Sequence, residues 1–382
     1  MRVAVIVDTS EPYYHGGYET RAWEISRHLA SRCDVTLFTT APETAVVDHV
    51  SIVPVAPMRP YFHDSGYRDL RAAIRFAARL LALAKAGARY DIVDCNATPF
   101  VHVPAAHLLA WRWHAKFVVT AHEALGHTFR PYFAARGAPF SPLLARFAAF
   151  IYTRAQRSAD LLVAASHTTA SQLLTEGYRD VVPIVGAVTH VGHPHTDHKG
   201  RLVFVGRLVQ NKRVPTLLRA FRIAREAKVA SSLTIVGSGP LLRALQADAR
   251  ELELGDSVSF LGSISERAKR DLLQNHSDLY VSASVREGIS IATLEALAFG
   301  VPAVIASVGD GLTLNGATEY ISLENGFVAG PTPEDLAIGI SYALEDRDRY
   351  RKLSRTAVQT ARLYTWDAAA DQLYGQYVRL LS

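Results

Sequence analysis

At 382 residues the chain is too long for one ordinary hydrophobic core, and with 49% apolar and 20% charged residues it reads as a folded globular protein of two domains. Its formal charge of +5 is small and uneven, residues 1–190 holding 19 Lys and Arg against 15 Asp and Glu and the remainder 22 against 21, which excludes a strongly basic nucleic-acid binder. Two cysteines without framework spacing exclude a disulfide scaffold and point to buried thiols in a reducing compartment.

In chain order, Val3–Val7 reads as a buried strand, too short for a signal-peptide core and ending at Asp8. Nothing later approaches the roughly 18 apolar residues of a membrane span. The expectation is therefore cytoplasmic, with peripheral contact at the inner face of the membrane kept open. Ala22, Ile25 and Leu29 give residues 18–31 a helical period, and Val35–Phe38 is the next strand. Leu70, Ile74, Ala77, Leu81 and Ala84 predict an amphipathic helix over 68–88, and strands follow at Ile92–Val93, Phe117–Thr120 and Leu161–Ala165. A polar segment over 191–200 reads as a linker. The alternation then restarts. Strands are predicted at Leu202–Val205, Leu233–Val236, Val258–Phe260, Leu279–Val281 and Ala303–Ile305, with helices near 215–227, 240–253, 266–275 and 290–299 between them. Trp366, Leu373, Tyr377 and Leu380 mark a terminal helix. Two βα series imply two doubly wound α/β domains, with ligands at the carboxyl ends of the strands. The expected limits are 1–192, 201–362 and a tail over 363–382.

Four motifs carry chemistry. His15-Gly16-Gly17 follows the first strand and opens a helix, so backbone amides and the positive helix end can meet an anion or hydroxyl there. Gly206-Arg207, with Lys212 five positions on, puts two cations on one βα loop, a pairing suited to a diphosphate. Gly237-Ser238-Gly239-Pro240 reads as a structural turn and departs from the dinucleotide fingerprint of Rossmann oxidoreductases. In the stretch from Arg286 to Pro302, Glu287 ends a loop and Glu295 lies one turn into an apolar helix. An unpartnered carboxylate would be costly there, and both acids can accept hydrogen bonds from sugar or ribose hydroxyls. The amides of Gly288, Ile289 and Ser290 lie at that helix's N-terminus.

In this order the motifs resemble the retaining nucleotide-sugar glycosyltransferases of family 4, which have the GT-B fold. The resemblance extends through Tyr90-Asp91-Ile92-Val93, Val119-Thr120-Ala121-His122-Glu123, Phe260-Leu261-Gly262, Asn325-Gly326-Phe327 and Tyr364-Thr365-Trp366. It implies two Rossmann-like domains facing a cleft, with the last helix crossing back onto the first. By position it implies that Arg207 and Lys212 hold the donor diphosphate and that Glu287 binds hydroxyls of the donor sugar. Glu295 would take the ribose, backbone groups near Ser263-Ile264 the base, His122 the donor sugar near the reacting centre, and Gly17 the phosphates or acceptor. The implied reaction moves a hexose, with retention, from a UDP- or GDP-sugar to a glycan, lipid-linked saccharide or small molecule, without metal or other cofactor. A nucleotide-sugar epimerase of related fold and a non-catalytic nucleotide-sugar-binding protein stand as alternatives; oligomeric state is not readable. Three places depart from the family pattern: Arg213 stands where Gly is frequent, residues 185–190 lack the usual Pro-Asn-Gly-Val-Asp, and the stretch from Ser307 to Glu319 is long.

His190, His193, His195 and His198 cluster in the linker. Without Cys or a rigid element beside them they read as a solvated hinge rather than a metal site. The helix bearing Arg68, Arg71, Arg75, Arg79, Lys85 and Arg89, basic on one side and apolar on the other, can cover its own sheet or rest on anionic lipid. The segment from Pro139 to Leu144 offers a second apolar surface.

Overall fold

A computed structural model describes residues 1–14, 16–58, 70–83, 89–98, 100–124, 141–285, 287–308 and 315–382. His15, Arg68, Ala84, Lys85, Pro139 and Arg286, singled out above, lie outside the described residues. The described residues divide into two units, one drawn from 1–186 and 366–382, the other from 187–365.

The first unit holds β1 (Arg2–Ile6), α1 (Gly17–Leu29), β2 (Asp34–Thr40), β3 (Ala45–Val47), β4 (Val50–Ala56) and α2 (Leu70–Ala82). It continues with β5 (Ile92–Asn96), α3 (Val103–Trp113), β6 (Lys116–Ala121), α4 (Ser141–Arg157), β7 (Leu161–Ala164), α5 (His167–Thr175) and β8 (Val181–Pro183). The strand order is β3-β4-β2-β1-β5-β6-β7-β8, parallel except for β3 against β4. Strands buried on both faces explain the unbroken apolar runs: Val3, Ala4, Ile6, Ile92, Val93, Val118 and Val119 are buried. Phe76 and Leu80 of α2, Leu109 of α3 and Tyr152 of α4 join one core with these strands.

The second unit holds β9 (Arg201–Val205), α6 (Val214–Glu226), β10 (Ser232–Val236), α7 (Leu242–Glu251), β11 (Val258–Gly262), α8 (Glu266–Asn275) and β12 (Leu279–Ser282). It ends with α9 (Ile291–Ala298), β13 (Ala303–Ala306), β14 (Gly326–Ala329), α10 (Pro333–Leu344) and α11 (Arg347–Ala361). All its strands are parallel, in the order β11-β10-β9-β12-β13-β14. Helix α10 starts where the local chemistry demands: Thr332 and Asp335 form a reciprocal capping box and Pro333 takes the first turn.

The final helix, α12 (Trp366–Leu381), belongs to the first unit. Its face of Trp366, Ala369, Ala370, Leu373 and Tyr377 is buried, Arg32 reaches Asp367 at 2.9 Å and Asp371 at 2.6 Å, and the Tyr377 hydroxyl donates to Asp94 of β5.

Two expected limits shift. The first unit ends at 186 rather than 192, and the tail begins at 366 rather than 363. The reason is hydrogen bonding: the amides of Ala187 and Val188 both donate to the Tyr364 carbonyl, at 2.9 and 3.1 Å, tying 187–188 and 362–365 into the second unit. The segment over 191–200 is likewise no solvated hinge. Gly192 N donates to Ala298 O, His195 N to Ser354 Oγ and Lys199 N to Asp278 Oδ2. His195 Nδ1 lies 3.2 Å from the Tyr350 hydroxyl, and the His198 ring packs on the Tyr350 ring.

Candidate functional site

Each sheet reverses its winding at one place, between β1 and β5 in the first unit and between β9 and β12 in the second. A crevice opens at such a switch point beyond the strand ends.

In the second unit the loop after β9 carries Gly206, Arg207 and Lys212, and the loop after β12 carries Glu287. The Lys212 ammonium contacts Glu287 Oε1, so an ion pair bridges the two strands at the reversal. Both side chains are mostly shielded from water. There each charge depends on the other, because a lone one would bear an uncompensated desolvation cost. Arg207 is exposed on the same loop.

The glycine turn after β10 shapes this loop. A Cβ on Gly237, whose φ is +133°, would lie 1.9 Å from Gly206 O, and one on Gly239 would lie 2.4 Å from Leu208 O. Only glycine lets the backbones close to the bonds from Gly206 N to Val236 O and from Leu208 N to Ser238 O. Arg213, at the family's frequent glycine position, takes the left-handed conformation itself, φ 49° and ψ 38°, and its guanidinium donates to Pro331 O at 3.0 Å.

Glu287 is held from behind. Gly316 N donates to its carbonyl at 2.9 Å, and Asn315 Nδ2 donates to Ser284 O and Ala306 O, both at 2.9 Å. Gly288 and Ile289 follow as half-buried backbone, and Ser290 precedes α9, its carbonyl accepting from the Tyr320 hydroxyl at 2.9 Å. Glu295 does not stand unpartnered in its apolar helix: Lys269 of α8 lies 2.9 Å away and also holds Glu266 at 2.8 Å. Burial works against the Lys269 charge, but Glu295 and Glu266 outweigh it and raise its pKa above the ordinary lysine value. Burial first, and then the charges of Glu287 and Glu295, push the pKa of the Tyr280 hydroxyl up. Ile264 is half-buried beyond β11, where Ser263 Oγ and Ser238 Oγ meet at 3.2 Å.

In the first unit Gly16 precedes α1 and Gly17 opens it. His122, at the end of β6, is buried, with Nε2 2.7 Å from Asn96 Oδ1 at the end of β5. An amide oxygen only accepts, so Nε2 carries the proton in this arrangement. The Tyr18 ring packs on His122 with centroids 4.7 Å apart, and its hydroxyl donates to Glu123 Oε1 at 3.1 Å. His122, Gly16 and Gly17 lie in the first unit, and Arg207, Lys212, Glu287, Gly288, Ile289, Ser290, Glu295 and Ile264 in the second, where Lys212 and Glu287 meet.

Sequence reasoning missed Lys269, Asn315 and Asn96. Nothing in the spacing of Lys269 or Asn315 ties them to Glu295 or Glu287. Asn96 was in principle legible, as a polar residue closing an apolar strand. Among the described residues no group of three or more His, Cys, Asp or Glu is placed to hold a metal ion.

Residues 189–360 match the profile of the glycosyl transferases group 1, and residues 16–185 that of the glycosyl transferase 4-like domain. The chain is 30% identical over 172 residues to a GDP-mannose-dependent alpha-(1-6)-phosphatidylinositol dimannoside mannosyltransferase of Mycobacterium tuberculosis, a match covering 45% of this chain and 42% of that protein. It thus spans less than half that relative's length. A D-inositol 3-phosphate glycosyltransferase of Gordonia bronchialis is 25% identical over an aligned length of 411, covering 96% of this chain and 84% of that one. Among solved structures, sucrose-phosphate synthase from Thermosynechococcus elongatus superposes with a TM-score of 0.76 at 19% identity, over 99% of this chain and 98% of the other.

Proposed function

Since this chain belongs to the group 1 glycosyltransferases, with a 4-like domain before the group 1 domain and the GT-B fold, we propose that it transfers a hexose from a UDP- or GDP-sugar, with retention of configuration, to a hydroxyl of a glycan, a lipid-linked saccharide or a small molecule. The observation that carries this is the Lys212–Glu287 ion pair at the reversal of the second sheet. It sets a cation for the diphosphate beside a carboxylate for sugar hydroxyls.

In this reading Glu287 holds Lys212 in place until the donor arrives. Lys212 and Arg207 then take the diphosphate, and Glu287 turns to the hexose. As the bond from the anomeric carbon to the phosphate oxygen breaks, its electron pair goes to the leaving diphosphate, where fixed cations stabilise it. The acceptor hydroxyl attacks the same face and gives its proton to a leaving phosphate oxygen, so no carboxylate nucleophile and no metal take part. Glu295, held by Lys269, receives the ribose, and the backbone at Ser263-Ile264 the base. His122, its ring set by Asn96, meets the donor sugar. The protein works in the cytoplasm on a nucleotide-linked donor.

The test is incubation with UDP- and GDP-hexoses and a panel of hydroxyl acceptors, with the new linkage read by NMR. Retention of the donor's anomeric configuration is expected. An inverted linkage would overturn the mechanism, and an epimerised donor formed without acceptor would replace transfer with epimerisation.

A further inference from the structure

Charge is not spread evenly along the chain. Residues 70–157 carry twelve Lys and Arg against three Asp and Glu, whereas the rest carries 29 against 33, so the whole basic excess comes from this stretch. None of the three acids lies on a helix: Asp91 precedes β5, Asp94 is buried within it, and Glu123 follows β6. Helices α2, α3 and α4 contain seven arginines and no Asp or Glu.

The three helices lie side by side on one face of the first sheet, α3 between α2 and α4, with their inner sides in a common core. Their outer sides combine arginine with large apolar groups. On α4, Leu143, Phe147 and Phe150 are 70%, 62% and 64% exposed, spaced so that they form one stripe, with Arg146 and Arg154 exposed beside it. On α3, Trp111 is 72% exposed next to Arg112, with Leu108 one turn away. On α2, Ile74 and Leu81 are exposed among Arg71, Arg75 and Arg79.

We propose that this face docks on an anionic lipid bilayer, with the Phe147/Phe150/Trp111 side chains entering the headgroup boundary and the arginines meeting lipid phosphates. The charge pattern selects this occupant. A second copy pairing through the same face would set arginine against arginine with no acid to answer. An anionic bilayer supplies phosphates over the whole width of three helices and an apolar layer for rings that project from convex helices. Among the described residues no helix is long and apolar enough to cross a membrane. The proposal stands independently of the transfer reaction and needs no catalytic residue.

The experiment is co-sedimentation of the full chain with vesicles of phosphatidylcholine alone and of phosphatidylcholine with 30–40% (about a third) phosphatidylglycerol, at low and high salt. Binding to the anionic vesicles is expected to be at least about tenfold tighter than to the neutral ones and to weaken as salt rises. The double substitution Phe147→Ser, Phe150→Ser, at exposed positions, is expected to lower that binding about tenfold with the melting temperature unchanged. In a parallel arm, Trp emission should shift to the blue on adding anionic vesicles, and the shift should shrink in Trp111→Phe. Equal binding to both vesicles, no binding to either, or undiminished binding by the double variant overturns the proposal. If the protein ignores vesicles and instead takes up an acidic polypeptide through these residues, the surface belongs to a protein partner and the lipid assignment is wrong.

Discussion

Lys212 is the charge whose removal tests the site most directly. Replacing it with Ala leaves Glu287 without its counter-ion and the leaving diphosphate without a fixed cation. Turnover is expected to fall about 10²–10³-fold, with a much smaller change in melting temperature; steady-state kinetics with unchanged kcat would remove Lys212 from the reaction. His195 makes a different prediction, about pH. Burial holds its pKa below the ordinary histidine value, with Asp278 pulling the other way and losing. His198 is lowered by burial as well. The unfolded chain therefore takes up protons first on acidification, so this stability is complete above about pH 6.5 and drains away as pH falls towards the lower folded values. Asp278 adds to the loss further down: burial would raise its pKa, but the Arg201 guanidinium and the amides of Arg201 and Lys199 hold it low. Melting temperature is expected to drop between pH 7.5 and 5.5, and less steeply in His195→Gln. An identical slope in that variant would contradict the assignment.

At the level of elements, α12 pairs with Arg32 at its surface and adds a buried hydrogen bond from Tyr377 beneath its large apolar face. Tyr377 and Thr120 both donate to the buried carboxylate of Asp94, whose pKa burial pushes up against those bonds. Tyr377→Phe keeps the packing and removes one donor, at an expected cost of about 1–3 kcal/mol in thermal or denaturant unfolding; no measurable loss would mean that apolar packing alone seats the helix. This helix was legible in the sequence because Trp366, Leu373 and Tyr377 share a helical period. So were the buried strands, whose apolar runs need no partner to be recognised. Strand β4 was not, because Pro54 argues against a strand, and the structure accommodates it where the pairing with β2 shifts register after Thr39. Helices α3 and α4 were missed as well, since exposed Trp111, Phe147 and Phe150 blur the amphipathic pattern that periodicity relies on. In the candidate site, Lys212 and Glu287 could be read from their loops after strands, while Lys269 could not. Its pairing with Glu295 spans two helices and depends on how α8 lies against α9, a relation no local spacing encodes.

Across the whole molecule, two separately wound sheets each bring their loops to a reversal point, and the chemistry differs between them. The first carries an imidazole, an amide and glycine backbone; the second carries cations and carboxylates. Phosphate leaving groups need positive charge, which a divalent ion or fixed side chains can supply. In the second unit the positive side chains are in place, and the nearby acids are already engaged: Glu287 with Lys212, and Glu295 with Lys269. A divalent ion binding there would have to compete with two ammonium groups for those carboxylates. Transfer is therefore expected to proceed unchanged, within about twofold, after exhaustive treatment with EDTA and without added metal. A loss of more than about tenfold, restored by Mg²⁺ or Mn²⁺, would show that an ion rather than Arg207 and Lys212 carries the leaving-group charge. In that case Lys212→Ala should cost little in saturating metal, so the two measurements together separate the two sources of charge.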